Sequence, residues 1–233
     1  MNSTNKVVLK IDWATHEAAK FACVNWHYSK KIAVNKLLKI GVWEDGEFTG
    51  VIIFGVGASA VLHRQFSLKQ TEVCELVRVA LKKHKTPVSK MIAIALRFLH
   101  KSAPLLRVVV SFADPNEGHH GGIYQATNWI YTGKSAATIE YFYNGNWRHV
   151  TDVYKRLKSE SIKKLPSRKK PGKYRYVMPL DAAMRKQIAP LTKPYPKRAK
   201  SIVADAPAIH AGEGGSVPTL ALHITTGPKE SNT

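Results

Sequence analysis

The stretch "SFADPNEGHHGGIYQATNWIYTG", residues 111–133, brings together an Asp-Pro turn, paired histidines, a glycine pair and aromatic side chains. A strand that ends at Asp114-Pro115 sets a carboxylate at the carboxyl edge of a sheet, where open α/β folds keep their ligands. Gly118, Gly121 and Gly122 let the backbone approach a substrate closely. His119 and His120 point apart on a regular element, but in a loop they can converge on a metal or a phosphate. A plainer reading has Asp114 capping a turn that the glycines merely permit. The concentration of reactive groups favours a site.

A second cluster is "NWHYSK", residues 25–30, where His27 and Tyr28 fall at the end of an expected helix. Such a pair can move protons or bind a metal. Taken alone, it reads as a boundary histidine beside a packed tyrosine. A third feature is "KKHKTPVS", residues 82–89. A strand, a loop and a helix N-terminus in that order form an anion site, to which Lys82, Lys83, His84 and Lys85 add charge. The loop has no glycine, so tight wrapping of a pyrophosphate by its backbone is not expected, and a solvated basic loop fits equally well.

Positioning these groups requires a sheet whose loops meet at one edge. "KVVLKIDW" alternates as a first strand, and "THEAAKFACVNWHYSK" follows as a helix with Thr15 as N-cap. "LLKIGVWEDGEFTGVIIFGVG" makes two strands joined at Asp45-Gly46, a strong hairpin signal. "EVCELVRVALKK" has the β-branched pattern of a central strand, and Pro87 opens a helix over "VSKMIAIALRFLHKSA". "LLRVVVSFAD" is a buried strand. "GGIYQATNWI" is a short helix, and "YTGKSAATIEYFYNGNWRHV" makes two strands turning near Asn144-Gly145-Asn146. The order β-α-β-β-β-α-β-α-β-β predicts an α/β (α+β) fold: a central mixed, mostly antiparallel sheet flanked by helices, with a basic C-terminal extension.

The chain has 233 residues, 36 Lys and Arg against 16 Asp and Glu, and a formal net charge of +20. That excess points to a polyanionic partner, nucleic acid first. Residues 148–200 carry 17 basic against three acidic side chains, interleaved with Tyr154, Tyr174, Tyr176 and Tyr195. Cations neutralise phosphates and aromatics stack on bases, so this segment suits both tasks. Its candidate DNA contacts are Arg148, Lys155, Arg156, Arg168, Lys169, Lys170, Lys173 and Arg175. The expected organisation is a catalytic core over 1–147, a basic segment over 148–200 that completes the fold and binds nucleic acid, and an unstructured tail over 201–233 rich in Ala, Gly, Ser and Thr. No apolar run approaches the roughly 18 residues of a membrane span. Cys23 and Cys74 lack metal-type spacing and read as buried thiols of a cytoplasmic protein.

The element order resembles the acyltransferase fold of the Gcn5-related N-acetyltransferases. The strings "VWEDGEFTGVIIFGVG", "ELVRVAL", "PVSKMIAIALRFL", "SFADPNEGHHGGIYQATNWIYTG" and "KYRYVMPLD" together resemble the Mom family of DNA-modification proteins from Mu-like phages. That resemblance implies conversion of adenine in phage DNA to N6-carbamoylmethyladenine, which shields the genome from host restriction enzymes in the bacterial cytoplasm. It implies roles for His27, Tyr28, Asp114 and Tyr124, with Ser111 a further catalytic candidate. It also raises iron as a cofactor, for which His27, Tyr28 and Asp114 are the candidate ligands. Acetyl-CoA-dependent members of the wider superfamily hold the pyrophosphate on a glycine-containing loop, and "KKHKTPVS" departs from that pattern.

Chemistry on adenine N6 in a duplex requires the base to be flipped out and held on an aromatic. Trp26, Tyr124 or Trp129 can supply that platform, with His119, His120, Gly121 and Asn128 completing a substrate site. Asp114 or His27 can accept the N6 proton, while Tyr28 or Tyr124 donates. Two donors of the two-carbon unit remain open. An activated glycyl ester such as glycyl-tRNA acylates N6 by ordinary acyl transfer and then rearranges, whereas acetyl-CoA requires activation of a methyl carbon, where iron is useful. The expected partners are double-stranded DNA and, on the glycyl route, tRNA. The chain is expected to act as a monomer or homodimer. The competing readings are an acyltransferase acting on tRNA or protein and a non-catalytic phage DNA-binding protein.

Overall fold

The computed structural model describes residues 7–34, 36–57, 59 and 61–197, so the expected tail lies outside the described residues. Strand β1 (Leu9–Trp13) leads into α1 (His16–Trp26), whose first turn is capped by Thr15 Oγ1 accepting the Ala18 N–H at 3.1 Å. Ala19, Ala22 and Cys23 recur at three- and four-residue spacing on α1. These small side chains let the helix lie close against Val51 and Ile53 of β3 (Glu47–Gly55) and Ala80 of β4 (Val73–Leu81). The opposite face of β3, with Ile52 and Phe54, is covered by Met91, Ile92 and Ala95 of α2 (Val88–Ser102). A strand buried on both faces must be apolar throughout, which is why "FTGVIIFG" shows no alternation. β2 (Leu37–Glu44) joins β3 through Asp45 and Gly46, at φ 50° and 83°, the two positive values of a type I′ turn.

The main sheet has seven strands in the order β1-β2-β3-β4-β5-β10-β6, with β5 at Val108–Ala113, β6 at Ile130–Lys134 and β10 at Tyr174–Pro179. Among the described residues every pairing in this sheet is antiparallel except β4 with β5. That parallel pair is registered only where Val73–Glu75 meet Val108–Val110; beyond it β5 follows β10 while β4 continues along β3. The two strands therefore part toward their carboxyl ends, and the site described below lies beside the opening.

The expected fold class is the one observed. The chain after β6, however, makes more than an extension. β7 (Thr138–Tyr143), β8 (Asn146–His149) and β9 (Ser167–Lys170) form a separate three-stranded sheet in the order β8-β7-β9, with α4 (Val150–Tyr154) and α5 (Ser159–Ile162) between β8 and β9. β10 then inserts between β5 and β6. The expected boundary at 147/148 runs through β8, and the main sheet closes only with β10, because only antiparallel pairing to both neighbours covers the ladder edges of β5 and β6. α6 (Ala182–Ile188) lays Met184 and Ile188 on Val108, Val110 and Val177.

Candidate active site

The end of α1, the carboxyl edge of β5 and the segment after β9 meet at one edge of the sheet. α1 stops because His27 leaves the helix in extended backbone (φ −106°, ψ 138°), which turns His27 and Tyr28 toward the loop after β5. The Tyr28 ring lies 4.3 Å from that of His27 and 5.3 Å, edge-on, from that of His119. Tyr28 is 48% exposed and is the aromatic of this cluster open to a ligand. Burial raises its phenol above the ordinary value, against the positive charge of Arg78.

His27 is only 7% exposed. The Ser29 N–H donates to its Nδ1 at 3.1 Å, which leaves the ring proton on Nε2. Burial, reinforced by the neighbouring charge of Arg78, lowers its pKa to about 4. At neutral pH His27 is an uncharged ring with Nε2–H as its donor. It suits stabilising a developing oxyanion better than accepting a proton, which narrows the role expected from the sequence.

Asp114 ends β5 and caps the following turn, its Oδ1 accepting from Asn116 N at 3.0 Å and Asn116 Nδ2 at 2.7 Å. Lys173 Nζ lies 3.2 Å from Oδ2. Burial alone pushes this carboxyl up, but the Asn116 hydrogen bonds and Lys173 outweigh it and hold the group below the usual carboxylate range. Both of the opening alternatives therefore apply to one residue: Asp114 is a turn cap and also an ionised carboxylate at the site. Behind it, Tyr124 of α3 (Gly122–Gln125) and Ser111 are buried 2.8 Å apart, and Ser111 Oγ donates to Leu76 O at 2.9 Å across the parting strands. Ser111 is locked into the fold with its proton committed to a carbonyl, the opposite of a poised nucleophile.

The other expected residues divide sharply. Trp129 is fully buried and packs on Tyr124, so it is core and no base platform. Trp26 packs on Phe21 and Phe48 beside α1. Asn128 is an exposed turn residue at φ 59°. Gly121, at φ 87°, lies against the Tyr176 ring, and Tyr176 donates to His120 O at 2.6 Å, so these two shape the loop. Among the DNA candidates, Arg148 and Arg156 share Asp152, Arg168 and Lys170 share Glu140, and Lys173 holds Asp114. Arg175 is half-buried and donates to Thr132 and Gln65. Lys155 and Lys169 carry no ion pair among the described residues. Segment net charge overstated the free cations because strand and helix pairing neutralises several locally.

The residues expected to hold iron do not offer a ligand set. Both Asp114 oxygens are engaged, Nδ1 of His27 accepts from Ser29, and no group of three His, Cys, Asp or Glu side chains among the described residues is arranged to hold a metal ion. Two residues that act on these candidate groups escaped the sequence reading. Arg78 of β4 sends its charge to both His27 and Tyr28, and its signal was a lone cation within the apolar run "ELVRVAL". Glu44 accepts the Lys85 and Thr86 N–H groups at 2.9 and 2.6 Å, so a carboxylate of the protein itself fills the expected anion site before α2.

The fold and this edge define a mixed α/β protein with an ionisable cluster where the parallel β4–β5 pair of the main sheet opens. The chain belongs to the Mom protein family, whose model matches residues 8–197. It is 27% identical over 185 residues to the methylcarbamoylase Mom of Escherichia phage Mu, covering 73% of this chain and 76% of that protein. Among solved structures it is distantly similar to a putative acetyltransferase from Acinetobacter baylyi ADP1 (14% identity, TM-score 0.45, 78% of this chain and 96% of that one). An aminoglycoside acetyltransferase solved with coenzyme A and kanamycin is similar at 11% identity and TM-score 0.45, over 78% of this chain and 98% of that one. Among the described residues no helix is long and apolar enough to cross a membrane.

Proposed function

We propose that this chain is a transferase that converts adenine in double-stranded phage DNA to N6-carbamoylmethyladenine in the host cytoplasm, and so shields that DNA from restriction. The observation that carries this reading is the meeting of His27, Tyr28, His119 and Asp114 at one sheet edge, joined by Lys173 from the basic segment, in a chain of the Mom family. The flipped adenine stacks on exposed Tyr28. N6 attacks the carbonyl carbon of an activated two-carbon donor, and the Nε2–H of His27 donates to the carbonyl oxygen as it gains charge. Once the new C–N bond forms, the N6 proton is acidic, and the ionised Asp114 accepts it. The donor's C–O bond then breaks and the departing oxygen takes a proton from Tyr28.

The donor best suited to this site is a glycyl ester such as glycyl-tRNA. Glu44 occupies the loop N–H groups before α2, so a coenzyme A pyrophosphate must displace a carboxylate to bind there. After glycyl transfer to N6, the free amine attacks C6 and the original N6 becomes the amide nitrogen. This isomerisation gives the carbamoylmethyl group without loss of an atom. Purified protein given duplex DNA with radiolabelled glycyl-tRNA, or with radiolabelled acetyl-CoA, tests both parts. Label from glycyl-tRNA in modified deoxyadenosine is expected. Label from acetyl-CoA alone overturns the donor, and modified protein or tRNA with unmodified DNA overturns the substrate.

A further inference from the structure

The three-stranded sheet carries an aromatic pair for which the acyl-transfer chemistry has no use. Phe142 and Trp147 face each other across the β7–β8 ladder, with rings 5.5 Å apart and edge-on. They flank the tight turn at Asn144 and Gly145, both at positive φ. They are 41% and 39% exposed, although large aromatics normally bury most of their surface. Directly paired residues share a face, so Glu140, Arg168 and Lys170 stand on the same side as the aromatic pair. The Arg168 guanidinium lies 4.4 Å from the Trp147 ring centre. On the other face Arg148 is tied to Asp152 of α4, so the helix belongs to that side and the aromatic side is open.

This face runs directly into the site. Lys170 is near enough to Tyr28 for its charge to act on the phenol, and three residues on Lys173 holds Asp114. The five steps of chain from Arg168 to Lys173 span at most about 17 Å when extended, or roughly five base steps of one strand. The surrounding segment 138–173 has ten Lys and Arg against three Asp and Glu, which suits a polyanion.

We infer that the Phe142–Trp147 pair stacks on unpaired bases of the DNA strand beside the flipped adenine, with Arg168 and Lys170 lying along its phosphates. This rests on the proposed action on DNA and names the surface that holds the opened duplex. A stacking pair gives affinity without base readout and contributes little to the salt dependence. It favours opened over fully paired DNA, because bases already unstacked are the ones it can cover.

The test is fluorescence anisotropy of the full chain with a labelled duplex carrying a short unpaired stretch and with its fully paired counterpart. Phe142→Ala combined with Trp147→Ala should weaken binding to the opened duplex about 5- to 150-fold, with the slope of log Kd against log salt unchanged. Trp147→Phe keeps a stacking ring and should keep most of the affinity, which separates stacking from misfolding. Unchanged affinity in the double variant overturns the inference. So does an equal loss in Trp147→Phe, or tighter binding of an RNA of the same sequence. The assay requires no chemistry, so its outcome is independent of whether adenine is modified: binding through the pair without modification sinks the enzymatic reading alone.

Discussion

His27→Asn is the substitution that probes the electrostatics of the site most sharply. Asn keeps an acceptor for the Ser29 N–H but cannot titrate. In the folded wild type burial holds His27 at about 4, against 6.5 in an unfolded chain. Between these values the unfolded state binds the extra proton, so the neutral ring's contribution is fully present above about pH 6.5 and is lost as pH falls toward 4. A separation near 2.5 units corresponds to about 3 kcal/mol, and roughly half of it is gone by about pH 5. Urea unfolding of both proteins from pH 7.5 to 4 is the assay. The shifted carboxylates are common to both and cancel in the difference, leaving the wild type to lose about 3 kcal/mol more than His27→Asn. Profiles parallel within about 0.5 kcal/mol refute the reasoning. His27 then titrates normally in the fold and is free to accept protons near neutrality.

Lys173→Met removes the cation beside Asp114, so the Asp114 carboxyl rises and the acid limb of a pH–rate profile moves to higher pH; a fixed acid limb contradicts the pairing. Glu44→Ala leaves the Lys85 and Thr86 N–H groups unpaired and costs about 1–3 kcal/mol in thermal unfolding, while coenzyme A added to the wild type leaves Tm unchanged. Gly121→Ala forces a Cβ against the Tyr176 ring at φ 87° and costs about 1–3 kcal/mol or more, read in the same experiment.

Local chemistry was the legible part of this fold. Asp45-Gly46 and Asn144-Gly145 announce their turns because few other residues accept two successive positive φ values. The Thr15 cap marks the start of α1. The entry of β10 between β5 and β6 was not legible, because pairing across some sixty residues leaves no local pattern. The site followed the same division. The place of Asp114 at the sheet edge was legible from the strand that ends at it, whereas His27 and Tyr28 taken alone read as a boundary histidine and a packed tyrosine, and only the family resemblance set them beside Asp114. Trp129 was misplaced because an aromatic near a glycine loop reads alike whether it points inward or outward. Arg175 was misplaced because a cation in a basic segment hides the strand alternation that buries it.

The most direct test of the account is nucleoside mass spectrometry on DNA from bacteria expressing this chain, beside an Asp114→Asn variant shown by circular dichroism to be folded. Asn preserves the turn cap and removes the proton acceptor. A deoxyadenosine heavier by one carbamoylmethyl unit is expected with the wild type, and its loss with Asp114→Asn, at nearly unchanged DNA affinity. Equal modification by both proteins contradicts the assignment of Asp114, and unmodified DNA from cells with soluble wild-type protein and ample glycyl-tRNA contradicts the proposed reaction.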